Sequence, residues 1–142
     1  MFIVFIIGMT SDLFLLKISY LLQDLFPWYF RIVVFLPLLF VAGYFAQRAH
    51  KKVFEEERKE IMVIKTDVFA RIRHPMYFGS ILIYFGFVIL SLSLISLVIF
   101  AVVVIFYYYL CRYEEQLLIA KLGDEYKNYM KNVPMLIPRV RM

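Results

Sequence analysis

The sequence predicts an all-α, polytopic membrane protein with about four transmembrane helices. Hydrophobic residues make up 63% of the 142 residues and aromatic residues 19%, whereas a soluble domain is about 45–50% apolar. Several apolar stretches reach or approach the roughly 20 residues that a helix needs to cross a bilayer. The basic residues lie between these stretches, which is typical of juxtamembrane segments. The net charge of +5 therefore does not indicate a nucleic-acid-binding protein.

The N-terminal part of the chain, residues 1–46, is predicted to form two spans. The first candidate covers residues 2–22 and is interrupted by polar side chains, so it is either one span or a short interfacial piece followed by a helix. The second begins at Trp28, directly after Pro27, and ends near Ala46. Proline suits the first turn of a helix, and tryptophan is enriched where a span meets the membrane interface.

A transmembrane hairpin is predicted for residues 75–110, with a tight turn at Ser91-Leu92-Ser93. As one continuous helix this stretch would be about 54 Å long at a rise of about 1.5 Å per residue. That length is well beyond a hydrocarbon core of about 30 Å, so two antiparallel helices fit better.

Two charged segments flank the hairpin and are predicted to be cytoplasmic. Residues 47–73 mix acidic and basic side chains at a density that cannot lie in hydrocarbon. Residues 111–142 hold the second group of basic residues, and within them Gly123 is expected to end one helix and Asp124 to cap the next. The chain is therefore predicted to be a single multi-pass membrane domain whose site faces the cytoplasm.

The hairpin is expected to bring two polar clusters together, because it returns its end to the side on which it began. Arg73-His74-Pro75 precedes its first helix and Glu114-Glu115 follows its second. Arg112 and Glu115 are expected to share one helical face, where a guanidinium and a carboxylate could bind a small zwitterion. Taken alone, these residues also fit juxtamembrane flank charges and the wet face of a helix that leaves the membrane.

Neither a metal site nor a disulfide is predicted. The two histidines, His50 and His74, are far apart in the sequence, and no CxxC or HExxH motif occurs. Cys111 is the single cysteine and is expected to be a small buried apolar residue.

A series of short motifs follows in order through the C-terminal half. The chain has Arg73-His74-Pro75-x-Tyr77-x-Gly79, the apolar hairpin, Glu114-Glu115, Gly123-x-x-Tyr126-x-x-Tyr129, Val133-Pro134 and Pro138. This set, from about Ile61 to Pro138, resembles the isoprenylcysteine carboxyl methyltransferase family, to which phospholipid methyltransferases are related. The resemblance implies an integral membrane methyltransferase that uses S-adenosylmethionine and acts on a lipid or on a prenylated small molecule or protein.

The resemblance also implies which residues contact the cofactor beneath the C-terminal segment. Four consecutive residues would line its adenine end, largely through backbone and apolar contact: Ile61, Met62, Val63 and Ile64. The remaining contacts would come from the motifs: His74, Pro75, Met76, Tyr77, Glu114 and Glu115. An acceptor carboxylate would be clamped by Arg112 or Arg73, with Arg112 ranked first because of the face that it is expected to share with Glu115.

Some positions depart from the family pattern. The family often has Gly-x-Tyr shortly before the Arg-His-Pro motif, where this chain has Asp67-Val68-Phe69. Phe69 keeps an aromatic surface for the cofactor but lacks the hydroxyl. Asp67 lacks the backbone freedom of glycine, so a different turn is expected there. Some members carry an arginine where this chain has Leu110.

The leading hypothesis is methyl transfer from S-adenosylmethionine to a lipid-like acceptor, most like carboxyl O-methylation of isoprenylcysteine. The first alternative is N-methylation of a phospholipid ethanolamine. A membrane reductase similar to sterol reductases and a non-enzymatic membrane scaffold are further alternatives. A carboxylate acceptor needs no general base, whereas an amine must first lose a proton.

Overall fold

The computed structural model describes residues 1–16, 19, 24, 26–56 and 63–138, and within these ranges it is helical without strands. The all-α class predicted from the sequence is thereby confirmed. The elements in chain order are α1 (Phe2–Ser11), a π-helical turn (Asp12–Leu16), α2 (Trp28–Glu56), a 3-10 turn (Asp67–Ala70), α3 (Pro75–Ser91), α4 (Leu94–Leu122) and α5 (Asp124–Asn132).

Among the described residues, two segments are long and apolar enough to cross a membrane, namely Trp28–Val53 in α2 and the whole of α4. Only 11% and 17% of their most apolar windows are buried, which differs from the buried core helix of a soluble protein. The segments Phe2–Phe14 and Pro75–Ser91 are shorter apolar helices. Four spans therefore remain a prediction, and residues 17, 18 and 20–22 of the first candidate lie outside the described residues.

The helix boundaries of the hairpin agree with those predicted from Pro75 and the Ser91-Leu92-Ser93 turn. The first helix, α3, begins at Pro75, and Leu92 and Ser93 separate it from α4. Leu92 adopts a left-handed backbone conformation with φ of 48°, which lets the chain reverse within two residues. The second helix continues to Leu122 without a break.

The described residues divide into two compact units, and the first comprises Met1–Val41 and Ile81–Phe106. In this unit the fully buried Phe5 packs edge-to-face on Tyr84, with ring centroids 5.1 Å apart. At the start of α2, Arg31 donates hydrogen bonds to the carbonyl oxygens of Phe26 and of Leu90 near the end of α3. The carbonyl of Leu90 lies in the last turn of α3, where a helix end would otherwise leave acceptors unpaired.

A carboxylate is fully buried in the first unit. Asp12 accepts hydrogen bonds from the hydroxyl of Ser19 at 2.5 Å and from that of Ser93. The backbone N–H of Ser19 also donates to Asp12, at 3.3 Å. Ser91 and Ser96, hydrogen-bonded to each other at 3.1 Å, complete this group, which we call the serine cluster. All five side chains are thus hydrogen-bonded, as burial among apolar neighbours requires.

The second unit comprises Ala42–Ser80 and Tyr107–Met142. One apolar core contains Phe45, Ala49, Val68 and Ile72. In α3, a Cβ atom on Gly79 would lie 2.9 Å from the carbonyl oxygen of Ala42 in α2. This distance is too short for any side chain, so glycine is what permits the two helices to approach so closely at this point.

A second core in this unit is formed by Tyr126, Tyr129 and Val133 from α5 and the residue after it. The hydroxyl of Tyr129 donates to the carbonyl oxygen of Phe69 at 2.6 Å. This bond ties α5 to the 3-10 turn. Lys65 and Glu125 add an exposed ion pair at 2.6 Å between the same two regions.

At the junction between α4 and α5, the prediction for Gly123 is confirmed and the prediction for Asp124 is not. Gly123, with φ of 58°, follows the last residue of α4 and donates its N–H to Ile119 at 2.9 Å, as predicted for a helix-ending glycine. The predicted N-terminal cap at Asp124 is wrong, because Asp124 is the first residue of α5 and makes no capping bond. Its carboxylate instead accepts a hydrogen bond from Lys127 at 2.9 Å, and this contact lowers its pKa.

Candidate active site

The Arg73-His74-Pro75 motif lies in the second unit, between the 3-10 turn and α3. Residues that precede proline favour extended backbone, and proline suits the first helical position. The backbone N–H groups of Arg73 and His74 donate to the carbonyl oxygens of Pro134 at 2.9 Å and Met135 at 3.2 Å. The segment that follows α5 therefore holds the motif through its backbone.

A buried ion pair joins the motif to α4. Arg73 Nη2 lies 2.8 Å from Glu115 Oε1, and the two side chains are 10% and 2% exposed. Arg73 Nη1 also donates to the carbonyl oxygen of Met130 at 3.0 Å. Within the described residues, Arg73 Nε and Glu115 Oε2 are buried without a hydrogen-bond partner. One donor and one acceptor of the same ion pair are thus left open, and an unpaired buried polar atom costs about 1–3 kcal/mol.

His74 lies between the carboxylates of Glu114 and Glu115. Its Nε2 is 3.3 Å from Glu115 Oε1, and its Nδ1 is 3.6 Å from Glu114 Oε2. The ring is stacked on Tyr77, with centroids 5.8 Å apart. The ring of Tyr107 packs against the ring of Tyr77, and their centroids are 5.3 Å apart.

Glu114 is the more exposed of these two glutamates. Its side chain is 39% exposed, against 2% for Glu115. The hydroxyl of Tyr77 donates to Glu114 Oε1 and fixes the carboxylate. Of the two residues between His74 and Tyr77, Pro75 is fully buried and Met76 is 43% exposed.

Arg112 and Glu115 lie three residues apart on α4, but the structure shows no contact between them. Arg112 is exposed, and it makes no hydrogen bond or ion pair with any described residue. The guanidinium beside Glu115 belongs to Arg73 instead, which reaches the carboxylate from another element of the unit. The clamping of an acceptor by either arginine stays a prediction.

The turn around Asp67 places this residue in an unusual backbone conformation. Asp67 has φ of 57°, so it occupies the left-handed region that glycine enters most easily. Aspartate tolerates this region better than most residues, and here its carboxylate pairs with Arg48 at 3.3 Å. Phe69 packs on the apolar core of Phe45 and Ile72.

The segment predicted to line the adenine end is only partly described. Ile61 and Met62 lie outside the described residues. Val63 and Ile64 are half-buried, and Val63 packs against Tyr126 and Tyr129. Whether any of the four contacts a cofactor stays a prediction.

Sequence reasoning missed the carbonyl groups that hold the motif, those of Met130, Pro134 and Met135. The signal that could have found the last two is Pro134 itself, since proline ends regular structure and leaves nearby carbonyls free.

The two tyrosines of the core beside the site, Tyr126 and Tyr129, are neutral at physiological pH. Burial raises the pKa of Tyr126 to about 12, with a further rise from the charge of Glu115, and burial also raises the pKa of Tyr129.

Comparison with known proteins places the chain in a family. A family model described as phospholipid methyltransferase matches residues 30–125. Methanethiol S-methyltransferase of Crocosphaera subtropica (strain ATCC 51142 / BH68) is 36% identical over 86 residues, which are 60% of this chain and 33% of that protein. The match thus spans a third of the length of this relative. No solved structure matches the chain significantly.

The matched region contains the Arg73-His74-Pro75 motif, the hairpin and Glu114-Glu115, and it covers well over half of the chain. As the resemblance predicted, the chain belongs to the phospholipid methyltransferase family of membrane methyltransferases.

Proposed function

We propose that this chain transfers a methyl group from S-adenosylmethionine to a lipid-like acceptor at a membrane surface. Membership of a methyltransferase family supports the reaction type. One observation carries the assignment of the cofactor: the buried ion pair of Arg73 and Glu115 leaves a donor and an acceptor open.

The two open atoms fit the amino-acid end of S-adenosylmethionine, which carries an ammonium and a carboxylate. Glu115 Oε2 would accept a hydrogen bond from the ammonium, and Arg73 Nε would donate one to the carboxylate. Both bonds are charge-assisted, and hydrogen bonds to charged groups contribute about 1.5–3 kcal/mol each. A zwitterion would therefore relieve both unpaired atoms at once.

The bound cofactor would supply a methyl group activated by the positive charge on its sulfur. The chain would contribute positioning and exclusion of water, which are the main catalytic terms for an in-line displacement of this kind. Arg73 and Glu115 would fix the amino-acid end. His74, Pro75, Met76 and Tyr77 would line the cofactor, together with Glu114 and the Val63–Ile64 segment.

Three acceptors are candidates for the reaction. The motifs resemble those of enzymes that methylate the carboxylate of isoprenylcysteine. The family model favours a phospholipid amine, and the relative from Crocosphaera subtropica is named for a thiol. Exposed apolar side chains on α2 and α4, among them Phe40, Val98 and Tyr109, support an acceptor that enters from the lipid.

The site is also proposed to face the cytoplasm. Arg48, Lys51 and Lys52 follow the apolar part of α2, and Lys121 and Lys127 follow that of α4. The positive-inside rule supports this orientation. In a Cys111→Ser background, the Lys127→Cys variant should react with an impermeant thiol reagent only from the cytoplasmic side, and labelling from the opposite side would contradict the orientation.

Calorimetric titration of the detergent-purified chain with S-adenosylmethionine tests the proposal. We expect saturable binding, and a loss of about tenfold to a hundredfold in affinity for Glu115→Gln, as for the loss of one charged hydrogen bond. Glu125→Gln, in an exposed ion pair, is the matched control and should bind like the wild type. Absence of binding at millimolar cofactor concentrations would contradict the proposal.

A further inference from the structure

A small cavity lies beside the C-terminal end of α2, in the second unit. Its described lining consists of Arg48, Lys51 and Lys52 from α2 and Asp67 from the 3-10 turn, and its volume is about 170 Å³. The three α2 residues follow a spacing of i, i+3 and i+4, so they share one face of the helix. Three cations and a single carboxylate are thus the described lining residues, and this excess of positive charge favours an anionic ligand.

Arg48 is the lining residue best suited to bind a phosphate. Its Nη1 donates to Asp67 Oδ2 at 3.3 Å, and its guanidinium lies over the ring of Tyr44, 5.6 Å from the centroid. These two contacts fix the guanidinium, yet the side chain is 54% exposed. A guanidinium has several N–H donors in a planar fork that matches the oxygens of a phosphate. The described hydrogen bond to Asp67 uses one of its nitrogens, and the others are left for a ligand.

The cavity lies near the end of a segment that can cross a membrane. Arg48, Lys51 and Lys52 belong to the last turns of Trp28–Val53, and Tyr44, which is 42% exposed, precedes Arg48 by one turn. Exposed tyrosines are typical of the layer where a span meets the lipid headgroups. Long basic side chains in this layer extend their charged ends toward the phosphates. The cations of the cavity are therefore placed at the depth of lipid phosphates.

A phospholipid fits this combination better than a soluble phosphate does. A soluble phosphate would use the cations alone, whereas a phospholipid also contacts the apolar surface of α2 that ends at Tyr44. The charge of the headgroup narrows the class further. A zwitterionic lipid carries its own cation, which three basic side chains repel, whereas an anionic lipid carries none. Basic residues next to a span attract anionic lipids in this way.

We infer that the cavity at the end of α2 binds the phosphate of an anionic phospholipid, which is held there as a bound lipid and is not methylated. Arg48 is the main ligand of the phosphate, and Lys51 and Lys52 complete the site. Asp67 positions Arg48 and also competes with the phosphate for it.

This lipid site is separate from the candidate active site. None of its four described lining residues belongs to the Arg73-His74-Pro75 motif or to Glu114-Glu115. The inference therefore does not depend on the proposed function, and its tests measure lipid binding without the cofactor.

Native mass spectrometry of the chain released from nanodiscs of equal phosphatidylglycerol and phosphatidylcholine content tests the site. The wild type should retain phosphatidylglycerol over phosphatidylcholine by at least about tenfold. The Arg48→Gln/Lys51→Gln/Lys52→Gln variant should lose this preference. Its matched control is Lys121→Gln/Lys127→Gln/Lys131→Gln, which has the same net charge and should behave like the wild type. No preference in the wild type, or an equal loss in both variants, would overturn the inference.

A competition experiment separates a lipid from a soluble anion. Inorganic phosphate or glycerophosphoglycerol at millimolar concentration should leave the retained phosphatidylglycerol in place, because neither has the acyl chains that contact the apolar surface of α2. Displacement of the lipid by either would show a site for soluble phosphate and overturn the assignment to a phospholipid.

The Asp67→Asn variant tests whether the phosphate binds at Arg48. Asp67 has φ of 57°, and asparagine also tolerates this conformation, so the turn should be kept while the competing charge is removed. The preference for phosphatidylglycerol should then rise about threefold to tenfold, because Arg48 no longer pairs with a carboxylate. An unchanged or lower preference would contradict the binding of the phosphate by Arg48.

Discussion

Two buried polar groups, one in each unit, differ in how completely they are hydrogen-bonded. In the serine cluster of the first unit, Asp12 accepts hydrogen bonds from Ser19 and Ser93, and every serine of the cluster is bonded. In the second unit, Arg73 and Glu115 are almost as deeply buried, yet each keeps an atom without a partner. A completed network stabilises a fold, whereas buried atoms left open are where a ligand can gain binding energy.

The largest expected effect comes from breaking the completed network. Asp12→Leu leaves two hydroxyl donors and one backbone N–H unpaired in an apolar surrounding. Stability should fall by at least about 3 kcal/mol, at roughly 1–3 kcal/mol for each unpaired group. Thermal unfolding in detergent measures this loss, and Asp12→Asn, which keeps one acceptor oxygen, should lose less.

The same variant separates the two groups. The folded fraction of Asp12→Leu should bind S-adenosylmethionine with wild-type affinity, because the serine cluster has no open atom to offer. Wild-type stability, or a loss of affinity without a loss of stability, would contradict the distinction between the two units.

A smaller effect is expected from the close helix contact that supports the second unit. Gly79→Ala places a Cβ atom 2.9 Å from the carbonyl oxygen of Ala42, and overpacking of this kind costs about 1–3 kcal/mol. Gly43 is the matched control, since a Cβ atom there meets nothing within 4 Å. Gly43→Ala should be neutral or stabilising by up to about 1 kcal/mol, because alanine favours helix. Equal unfolding temperatures for the two variants would show that the contact at Gly79 is not tight.

The smallest effect is expected at Arg112. Its exposed side chain has no described partner, so Arg112→Gln should leave cofactor affinity within about twofold of wild type and stability within about 0.5 kcal/mol. Arg73→Gln, in contrast, should weaken cofactor binding about as much as Glu115→Gln. If Arg112→Gln were the more damaging of the two, the sequence-based ranking of the arginines would be restored.

Much of the fold could be predicted because it depends on local signals. The hairpin boundaries follow from Pro75 and the Ser91-Leu92-Ser93 turn, and the end of α4 follows from Gly123. The meeting of Arg73-His74-Pro75 with Glu114-Glu115 follows from the geometry of a hairpin, although the two motifs are almost forty residues apart.

The finer details of the site could not be predicted because they depend on tertiary contacts. Helical spacing placed Arg112 near Glu115, but Arg73 reaches that carboxylate from another element. Spacing also cannot reveal that Asp67 adopts the conformation of a glycine, since its pairing with Arg48 joins residues far apart in the sequence. The carbonyl group of Met130, which accepts a hydrogen bond from Arg73, carries no sequence signature of its own.

The most direct test of the central claim compares two thioether ligands, one with and one without the amino-acid end. S-adenosylhomocysteine and 5′-methylthioadenosine share the adenosine and an uncharged sulfur, but the second lacks both the ammonium and the carboxylate. Calorimetry should show S-adenosylhomocysteine binding the wild type at least about a hundredfold more tightly, as for two charged hydrogen bonds, and this ratio should fall about tenfold to a hundredfold in Glu115→Gln. Equal affinities for the two ligands in the wild type would contradict the assignment of Arg73 and Glu115 to the cofactor.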